Sequence, residues 1–152
     1  MHIKVQEEDF SLEELALDYT AESGGHAMFL GTVRARSQDK TLMAMTIEHY
    51  PGMTETALEN IAQQACGGWD LEDCLILHRY GRLRPGDKIV LVITRSQHRH
   101  DAFEACRFIA DWLKTEAPFW KCEEFCDGTQ HWVTPKTQDI VFKERWSARQ
   151  NG

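Results

Sequence analysis

The sequence predicts an α+β fold, and three observations carry that prediction. Short segments with strand-like patterning come mostly in pairs, and helical patterns of about 10 to 16 residues separate them. The predicted order β-α-β-β-α-β-β-α-β-β is typical of helices that cover an antiparallel or mixed sheet. Neither G-x-G-x-x-G nor a Walker A motif occurs in the chain, so the sequence does not favour a nucleotide-binding fold.

The N-terminal half begins with a predicted strand at residues 3–5. Ser11 and Glu14 have the spacing of a capping box, which predicts a helix from Ser11 to about residue 21 that ends before Gly24 and Gly25. A strand at 26–34 and a polar loop at 35–40 follow. The next strand is expected to present one face made of Met43, Met45, Ile47 and His49.

The next predicted helix starts at Pro51-Gly52 and stops at Gly67-Gly68. Its expected apolar positions are Met53, Ala57, Ile61 and Ala65. Strands are then predicted at 71–79 and, after a turn at 85–87, at 88–94. The second of these is the most apolar segment of the chain and is expected to be central in its sheet.

The clearest helix is predicted from residue 101 to about residue 116, closed by Pro118. Its expected buried stripe is Phe103, Cys106, Ala110 and Leu113, and its expected polar stripe is Glu104, Arg107, Asp111 and Lys114. Segments 121–125 and 130–133 flank Asp127-Gly128, which is a hairpin signal. The tail, from about residue 137, is polar, with Val141, Phe142 and Trp146 as candidate docking residues.

Size, charge and cysteine content exclude several classes of protein. A chain of 152 residues has room for one cohesive core, so residues 1–152 are expected to form a single domain. The 17 Lys and Arg against 24 Asp and Glu give a net charge of −7, which disfavours nucleic-acid binding. No stretch resembles a membrane span or a signal peptide, and five cysteines without C-x-x-C spacing are typical of reduced thiols, so we expect a cytoplasmic protein.

A basic cluster at residues 95–101 lies between the most apolar strand and the clearest helix. The start of a helix has unpaired N–H groups, so this position is a candidate site for a phosphate or a carboxylate. A solvated helix cap is the alternative. His98 and His100 could share a metal ion, but no third-ligand motif accompanies them and Arg99 would repel a cation, so we predict no metal site.

Two lysines form a second candidate site. Lys114 ends the polar stripe of the helix, and Lys121 follows it across the change of direction that Pro118 should impose. The two ammonium groups can therefore converge, and Phe119 and Trp120 could partly desolvate them and suit one lysine to acid, base or nucleophilic catalysis. Ordinary surface solvation is the alternative. Arg34, at the end of the strand 26–34, is a candidate anion-binding residue or else a surface charge.

Taken together, these segments resemble the large, catalytic subunit of molybdopterin synthase. The matching motifs occur in the family's order and span about residues 25–133. They are G-T-V-R at 31–34, E-H-Y-P-G-M at 48–53, H-R-Y-G-R-L-R-P-G-D at 78–87, H-R-x-x-A-F-E-A at 98–105 and D-x-L-K-x-x-x-P-F-W-K-x-E at 111–123.

The resemblance implies an α/β hammerhead-type fold with an additional small antiparallel sheet. It implies a sulfurtransferase that works as a homodimer within a heterotetramer, together with a small ubiquitin-like sulfur carrier. The carrier's C-terminal Gly-Gly thiocarboxylate would deliver sulfur to cyclic pyranopterin monophosphate, and two transfers would make the dithiolene of molybdopterin. No bound cofactor is implied, because the pterins are substrate and product.

The resemblance also assigns roles to residues of this chain. It implies that Lys114 and Lys121 are catalytic, and that Arg34, His98 and Arg99 hold the anionic substrate. Flanking residues expected in the pocket wall are Thr32, Val33, Cys122 and Glu123. We expect Lys121 to be the main acid/base group and Lys114 to hold the carboxyl end of the carrier.

The sequence departs from the family pattern at two places. Cys122 stands where the family usually has a basic residue, and Lys136 is a plausible but unaligned match for a basic position near the tail. Two alternatives remain open. The chain could be a non-catalytic module that binds a ubiquitin-like tail by strand addition, or a small phosphohydrolase that uses His98 and His100.

Overall fold

A computed structural model gives the structure of the protein and describes residues 1–16, 23–134 and 144–147. Its elements are β1 (His2–Gln6), α1 (Leu12–Ala16), β2 (Gly25–Thr32), β3 (Arg36–Ser37), β4 (Lys40–His49), α2 (Met53–Gly68), β5 (Asp73–Arg79), β6 (Gly81–Leu83), β7 (Lys88–Ser96), α3 (Arg99–Thr115), β8 (Phe119–Phe125) and β9 (Gln130–Trp132). A further helical turn covers residues 144–147. The α+β prediction is confirmed.

Sheet I has four strands in the order β1-β5-β7-β2. β1 and β5 are parallel, and the other pairs are antiparallel. β7 is central, as its apolar sequence predicts, and β2 lies at an edge. One face of the sheet carries a small cluster formed by Phe10, Leu75, Leu77, Leu91 and Ile93, with residues of α1 packed against it.

Helices α2 and α3 pack against each other and against the other face of sheet I, where α3 contacts β2 and β7. Sheet II has five strands, β3-β4-β8-β9 with β6 paired to β4. The main core lies between these layers and includes Ile47, Leu83 and Phe125 from sheet II. The candidate site lies where the ends of β2, α3 and β8 meet beside this core.

The predicted buried stripe of α3 is confirmed at Cys106 and wrong at Phe103. Phe103 is 63% exposed, and the buried residues of the helix are Ala102, Ala105, Cys106, Phe108 and Ile109. The small side chains of Ala102 and Ala105 suit close approach to sheet I, and the hydroxyl of Thr94 donates to the carbonyl oxygen of Ala102 at 2.6 Å. The shift rotates the helix relative to the prediction and leaves Lys114 exposed at its C-terminal end.

The face predicted for α2 is also displaced. Its buried residues are Thr54, Leu58, Ile61, Ala62 and Ala65, while Met53 is exposed. Buried Thr54 donates its hydroxyl to the carbonyl oxygen of Tyr50, which ties the helix start to the end of β4. A prediction that counts apolar residues cannot identify a polar residue that is buried in the first turn of a helix.

Strand β4 carries a bulge between Leu42 and Ala44 in its pairing with β8. The bulge changes the alternation of faces, because one extra residue on one strand shifts every later side chain. Met43 is therefore exposed and does not share a face with buried Ile47 as predicted. Residues 35–40, predicted as a loop, instead form the β3–β4 hairpin.

Residues 81–83, for which the sequence predicts no strand, form β6 and pair with β4. At the C-terminal end, Trp146 docks against Trp69 and Phe108 as expected. Residues 17–22 of the predicted first helix, and Lys136, Val141 and Phe142, lie outside the described residues. Among the described residues, no helix has the length and apolar character needed to cross a membrane.

Candidate active site

A pocket of about 100 Å³ lies between the end of β2, the end of α3 and sheet II. It is lined by the predicted site residues Thr32, Arg34, Lys114, Lys121 and Glu123. It is also lined by Leu42, Met45, Ile89 and Val133, which the site prediction missed. These four are apolar, and only knowledge of the pairing between β4, β7, β8 and β9 could place them at the same cavity as the charged residues.

The bend between α3 and β8 brings the two lysines to one pocket, as their spacing predicts. Helix α3 ends at Thr115, and the backbone N–H of Glu116 still donates to the carbonyl oxygen of Trp112 at 2.8 Å. Pro118 cannot continue the helix, and β8 begins at the next residue. Lys114 then lies exposed at the helix end, and Lys121 lies partly buried in the strand.

We predicted that Phe119 and Trp120 could partly desolvate the two lysines, but both rings pack elsewhere. Neither lines the pocket. Phe119 stacks on the ring of His78 with centroids 3.7 Å apart. Trp120 is exposed and packs edge-on against Tyr50, with centroids 4.6 Å apart. Because side chains alternate along a strand, Trp120 must face away from Lys121.

Arg34 follows the end of β2, and the backbone hydrogen bonds of the preceding residue, Val33, hold it in position. Val33 is buried in the core, and its N–H donates to the carbonyl oxygen of Asp87 at 2.9 Å. The N–H of Gly86 donates to the carbonyl oxygen of Val33 at 2.8 Å. Val33 therefore anchors the chain with its side chain in the core, while exposed Arg34 and Thr32 on either side of it reach the cavity. The predicted part of Val33 in substrate binding stays a prediction.

Glu123 lies on the same face of β8 as Lys121, two residues further along the strand. Its side chain is only 6% exposed, and Oε1 accepts a hydrogen bond of 3.0 Å from the hydroxyl of Ser37. Ser37 reaches this position because Gln38 and Asp39 adopt left-handed backbone conformations and turn β3 back onto β4. The sequence does not predict that hairpin, since such turns usually contain glycine or asparagine and Gln38 and Asp39 are neither.

The Cys122 side chain is buried and does not line this pocket, in contrast to its neighbours Lys121 and Glu123, so its predicted place in the substrate site stays a prediction. In the strand register it lies opposite Thr46 on one side and Trp132 on the other. Burial and the neighbouring carboxylate of Glu124 raise the pKa of the Cys122 thiol. A thiol with a raised pKa is a poor nucleophile.

His98 and Arg99 lie at the opposite end of α3 from Lys114 and do not line the pocket. At 1.5 Å per residue the helix separates Arg99 from Lys114 by about 22 Å. The hydroxyl of Ser96 accepts the backbone N–H of His98 at 3.2 Å and donates to the carbonyl oxygen of Asp70 at 2.7 Å, which fixes the helix start. Gly25 at the start of β2 passes so close that an added Cβ would lie 3.0 Å from the Cα of Arg99.

His98 is the N-cap residue of α3, and His100 lies in the first turn of that helix. In the parts of the chain that the structure describes, no three His, Cys, Asp or Glu side chains come together as metal ligands.

The charged residues that line the pocket are Arg34, Lys114, Lys121 and Glu123. Three cations against one carboxylate leave the cavity positive, although the whole chain carries −7. Such a pocket favours an anionic ligand, and a half-buried lysine beside it can exchange a proton with that ligand.

Comparison with known proteins agrees with this geometry. The family model described as MoaE protein matches residues 5–116, which is most of the chain. The chain belongs to the MoaE family. The molybdopterin synthase catalytic subunit of Ralstonia nicotianae is 48% identical over 147 residues, which cover 95% of this chain and 83% of that protein.

Solved structures of MoaE proteins share the fold. The molybdopterin biosynthesis MoaE protein from Burkholderia ambifaria matches with a TM-score of 0.81 and 45% identity, over 96% of this chain and 97% of that one. Molybdopterin synthase from Staphylococcus aureus matches with a TM-score of 0.79 and 26% identity, over 86% of this chain and 96% of that one.

Proposed function

We propose that this chain is the catalytic subunit of a molybdopterin synthase, a sulfurtransferase of molybdenum cofactor biosynthesis that works in the cytoplasm. The observation that carries the proposal is the convergence of Lys114, Lys121 and Arg34 on one pocket. The names of the relatives support it, because several proteins that match nearly the whole chain are called molybdopterin synthase catalytic subunit.

The substrates of that reaction suit a positive pocket. A small ubiquitin-like carrier would insert its C-terminal Gly-Gly thiocarboxylate, whose sulfur would attack a side-chain carbon of cyclic pyranopterin monophosphate and replace an oxygen substituent there. Water would then hydrolyse the bond between the carrier's carbonyl carbon and the sulfur, which leaves the sulfur on the pterin and a carboxylate on the carrier. Both reactants are anions, so the cations gather them and offset their mutual repulsion. Two such transfers would complete the dithiolene of molybdopterin, and the pterin would be bound as a substrate with no resident cofactor.

The positions of the two lysines support a division of roles. Lys114 is exposed at the helix end, where an incoming carrier tail would meet it first, so it would hold the carboxyl end of the carrier. Lys121 is partly buried beside Glu123 and would move the proton that accompanies attack by sulfur.

The placement of His98 and Arg99 supports a homodimer. Strand β2 is an edge strand of sheet I, with Gly25 beside Arg99 at one end and Thr32 at the pocket at the other. The eight residues of β2 span about 23 Å from end to end. A second copy related by a two-fold axis near the middle of β2 would bring its own His98 and Arg99 to this pocket, where they could hold the substrate phosphate. One carrier per pocket would make the assembly a heterotetramer.

The test is product formation from cyclic pyranopterin monophosphate and thiocarboxylated carrier. We expect Lys121→Ala to lower the rate by about 100-fold or more, the usual contribution of an acid/base group. Lys114→Ala should also lower the rate, because the carboxyl end of the carrier would no longer be held at the pocket. Lys40→Ala is the matched control, because Lys40 is ion-paired to Asp127 on the surface and does not line the pocket. Near-normal rates in both pocket variants would refute the catalytic role.

The same variants separate catalysis from simple carrier binding. If the chain were only a binding module, loss of turnover would follow loss of carrier binding. We expect Lys121→Ala to bind the carrier with at most a severalfold change in affinity, measured by titration calorimetry, while turnover is lost.

A further inference from the structure

His78 is a buried histidine in β5 that the proposed mechanism does not use. Its side chain is 2% exposed and faces the core between the two sheets. The imidazole stacks on the ring of Phe119 in β8, with centroids 3.7 Å apart and planes only 13° from parallel. Phe119 also lies near the ring of His49, at 6.2 Å, so three aromatic rings from three strands meet at the start of β8.

The hydrogen bond of His78 defines its tautomer. Nδ1 lies 2.8 Å from the carbonyl oxygen of Arg79, which can only accept, so Nδ1 carries the proton and Nε2 holds a lone pair. Burial and, to a smaller extent, the nearby charge of Lys121 lower the pKa of His78 from 6.5 to about 3. The ring is therefore neutral at physiological pH, and it stays close to Lys121 without adding a second fixed cation.

The strand geometry connects the stack to the pocket. Phe119 and Lys121 are two residues apart in β8, so their side chains leave the same face of the strand. Phe119 is the first residue of β8 and follows directly on Pro118, where the chain has just left α3. The ring that holds Phe119 in place therefore also fixes where the strand starts and how Lys121 enters the pocket.

We propose that His78 is a positioning residue for Lys121, acting through its stack on Phe119. The inference rests on the proposed function, since it needs Lys121 to act on the substrate. It predicts that His78 affects the chemical step and not the binding of either reactant.

The test compares two substitutions that differ in shape. His78→Phe keeps a neutral ring on Phe119 and should retain kcat within about 3-fold. His78→Gln keeps a neutral polar side chain without the stack, and it should lower kcat by about 10-fold or more. KM for cyclic pyranopterin monophosphate and for the carrier should change by less than about 3-fold. Equal kcat values in wild type and His78→Gln would overturn the inference.

A second comparison shows whether His78 acts through Lys121. In a Lys121→Ala background, His78→Gln should cause no further loss of kcat, whereas a general structural defect would lower the remaining rate by the same factor as in wild type. That multiplicative result would overturn the inference. If His78→Gln fails to fold, Phe119→Leu breaks the same stack from the β8 side and carries the same expectations.

The outcomes separate the two proposals. Full activity of both Lys121→Ala and Lys114→Ala would overturn the proposed catalytic role of the pocket, and the role of His78 with it. Loss of activity in Lys121→Ala together with wild-type kinetics in His78→Gln would overturn the role of His78 alone.

Discussion

Glu123 is a buried carboxylate in a pocket that must attract anions. Burying a charge is costly unless hydrogen bonds and opposite charges compensate. Here the Ser37 hydroxyl donates to one carboxylate oxygen, and Lys114, Lys121 and Arg34 line the same cavity. The carboxylate therefore fits the site as a structural counter-charge that keeps the cations together when no substrate is bound.

Removal of the Ser37 hydroxyl should lower the stability of the protein, because buried Glu123 then loses a hydrogen bond. Ser37→Ala removes a hydrogen bond to a charged group, and we expect the free energy of unfolding to fall by about 2 kcal/mol. Urea denaturation followed by circular dichroism measures this change. Thr41→Ala, at an exposed position in the same hairpin, is the control and should change stability by less than about 0.5 kcal/mol. Equal stabilities of the two variants would contradict the role of Ser37.

His78 makes the stability of the fold depend on pH. Its pKa is about 3 in the folded protein, against 6.5 as its ordinary value. Below pH 6.5 the unfolded chain takes up a proton at this residue that the folded chain does not, so stability is lost as the pH falls. Between pH 7 and pH 5 this one group should cost about 2 kcal/mol.

Comparing wild type with His78→Phe checks that slope. We expect the free energy of unfolding of His78→Phe to fall less steeply between pH 7 and pH 5 than that of wild type. Parallel pH profiles of the two proteins, measured by urea denaturation, would show that the folded protein binds a proton at His78 in this range.

The limits of sequence prediction at the residue scale follow from strand alternation. The lysine pair was predicted from the spacing around Pro118, and the structure confirms that the two residues line one pocket. Val33 and Cys122 each lie between two pocket residues in an extended segment, and their side chains do not line the pocket. Successive side chains of a strand face opposite sides, so a run of three predicted residues places only its first and third side chains in one cavity.

At the scale of elements, Trp146 docks the helical turn at 144–147 against α3 and the end of α2. Trp146 is 6% exposed and packs edge-on against Trp69 and Phe108. Its indole N–H donates to Oδ2 of Asp111 at 2.8 Å. The turn is thereby attached to the helix that carries Lys114, one turn before that lysine.

Two substitutions separate packing from the hydrogen bond. Trp146→Ala should lower the free energy of unfolding by about 3 kcal/mol, as expected for truncation of a buried aromatic residue. Trp146→Phe keeps most of the ring contact and loses the bond to Asp111, so it should cost about 1 kcal/mol. Thermal denaturation measures both, and equal costs would show that the ring packing contributes little.

Elements with a long periodic pattern could be predicted, and very short ones could not. The apolar run of β7 and the length of α3 were clear in the sequence. β3 has two residues and β6 has three, which is too short for any alternation to show. The exact buried faces of α2 and α3 were missed because small or polar residues, such as Ala102 and Thr54, face the core where a count of large apolar side chains favours Phe103 and Met53.

At the scale of the whole molecule, the two groups of predicted anion-binding residues lie at opposite ends of β2 and α3. If a second copy supplies His98 and Arg99, mixing two inactive variants should restore activity. Lys121→Ala lacks a group in its own pocket, and Arg99→Ala lacks a group that it gives to the other copy. In a mixed dimer one pocket has both groups intact.

Random association makes half of the dimers mixed, and each has one working pocket of two. Co-expression of the two variants should therefore restore about a quarter of the wild-type rate per chain, when random pairing of the two copies is complete. Each variant alone should be nearly inactive in the same assay. A mixture as inactive as its components would show that His98 and Arg99 serve their own chain.

The separation of the ends of α3 also has a consequence for how the rate depends on protein concentration. An enzyme whose reactive groups all belong to one chain keeps the same turnover number when it is diluted. His98 and Arg99 lie about 22 Å from the lysines of their own chain. If a second copy supplies these two residues to the pocket, specific activity should decline once the protein is diluted below the dissociation constant of the dimer. The amount of active enzyme would then depend on the concentration of this chain in the cell. When that concentration is low, enzyme activity would fall by a larger factor than the amount of protein.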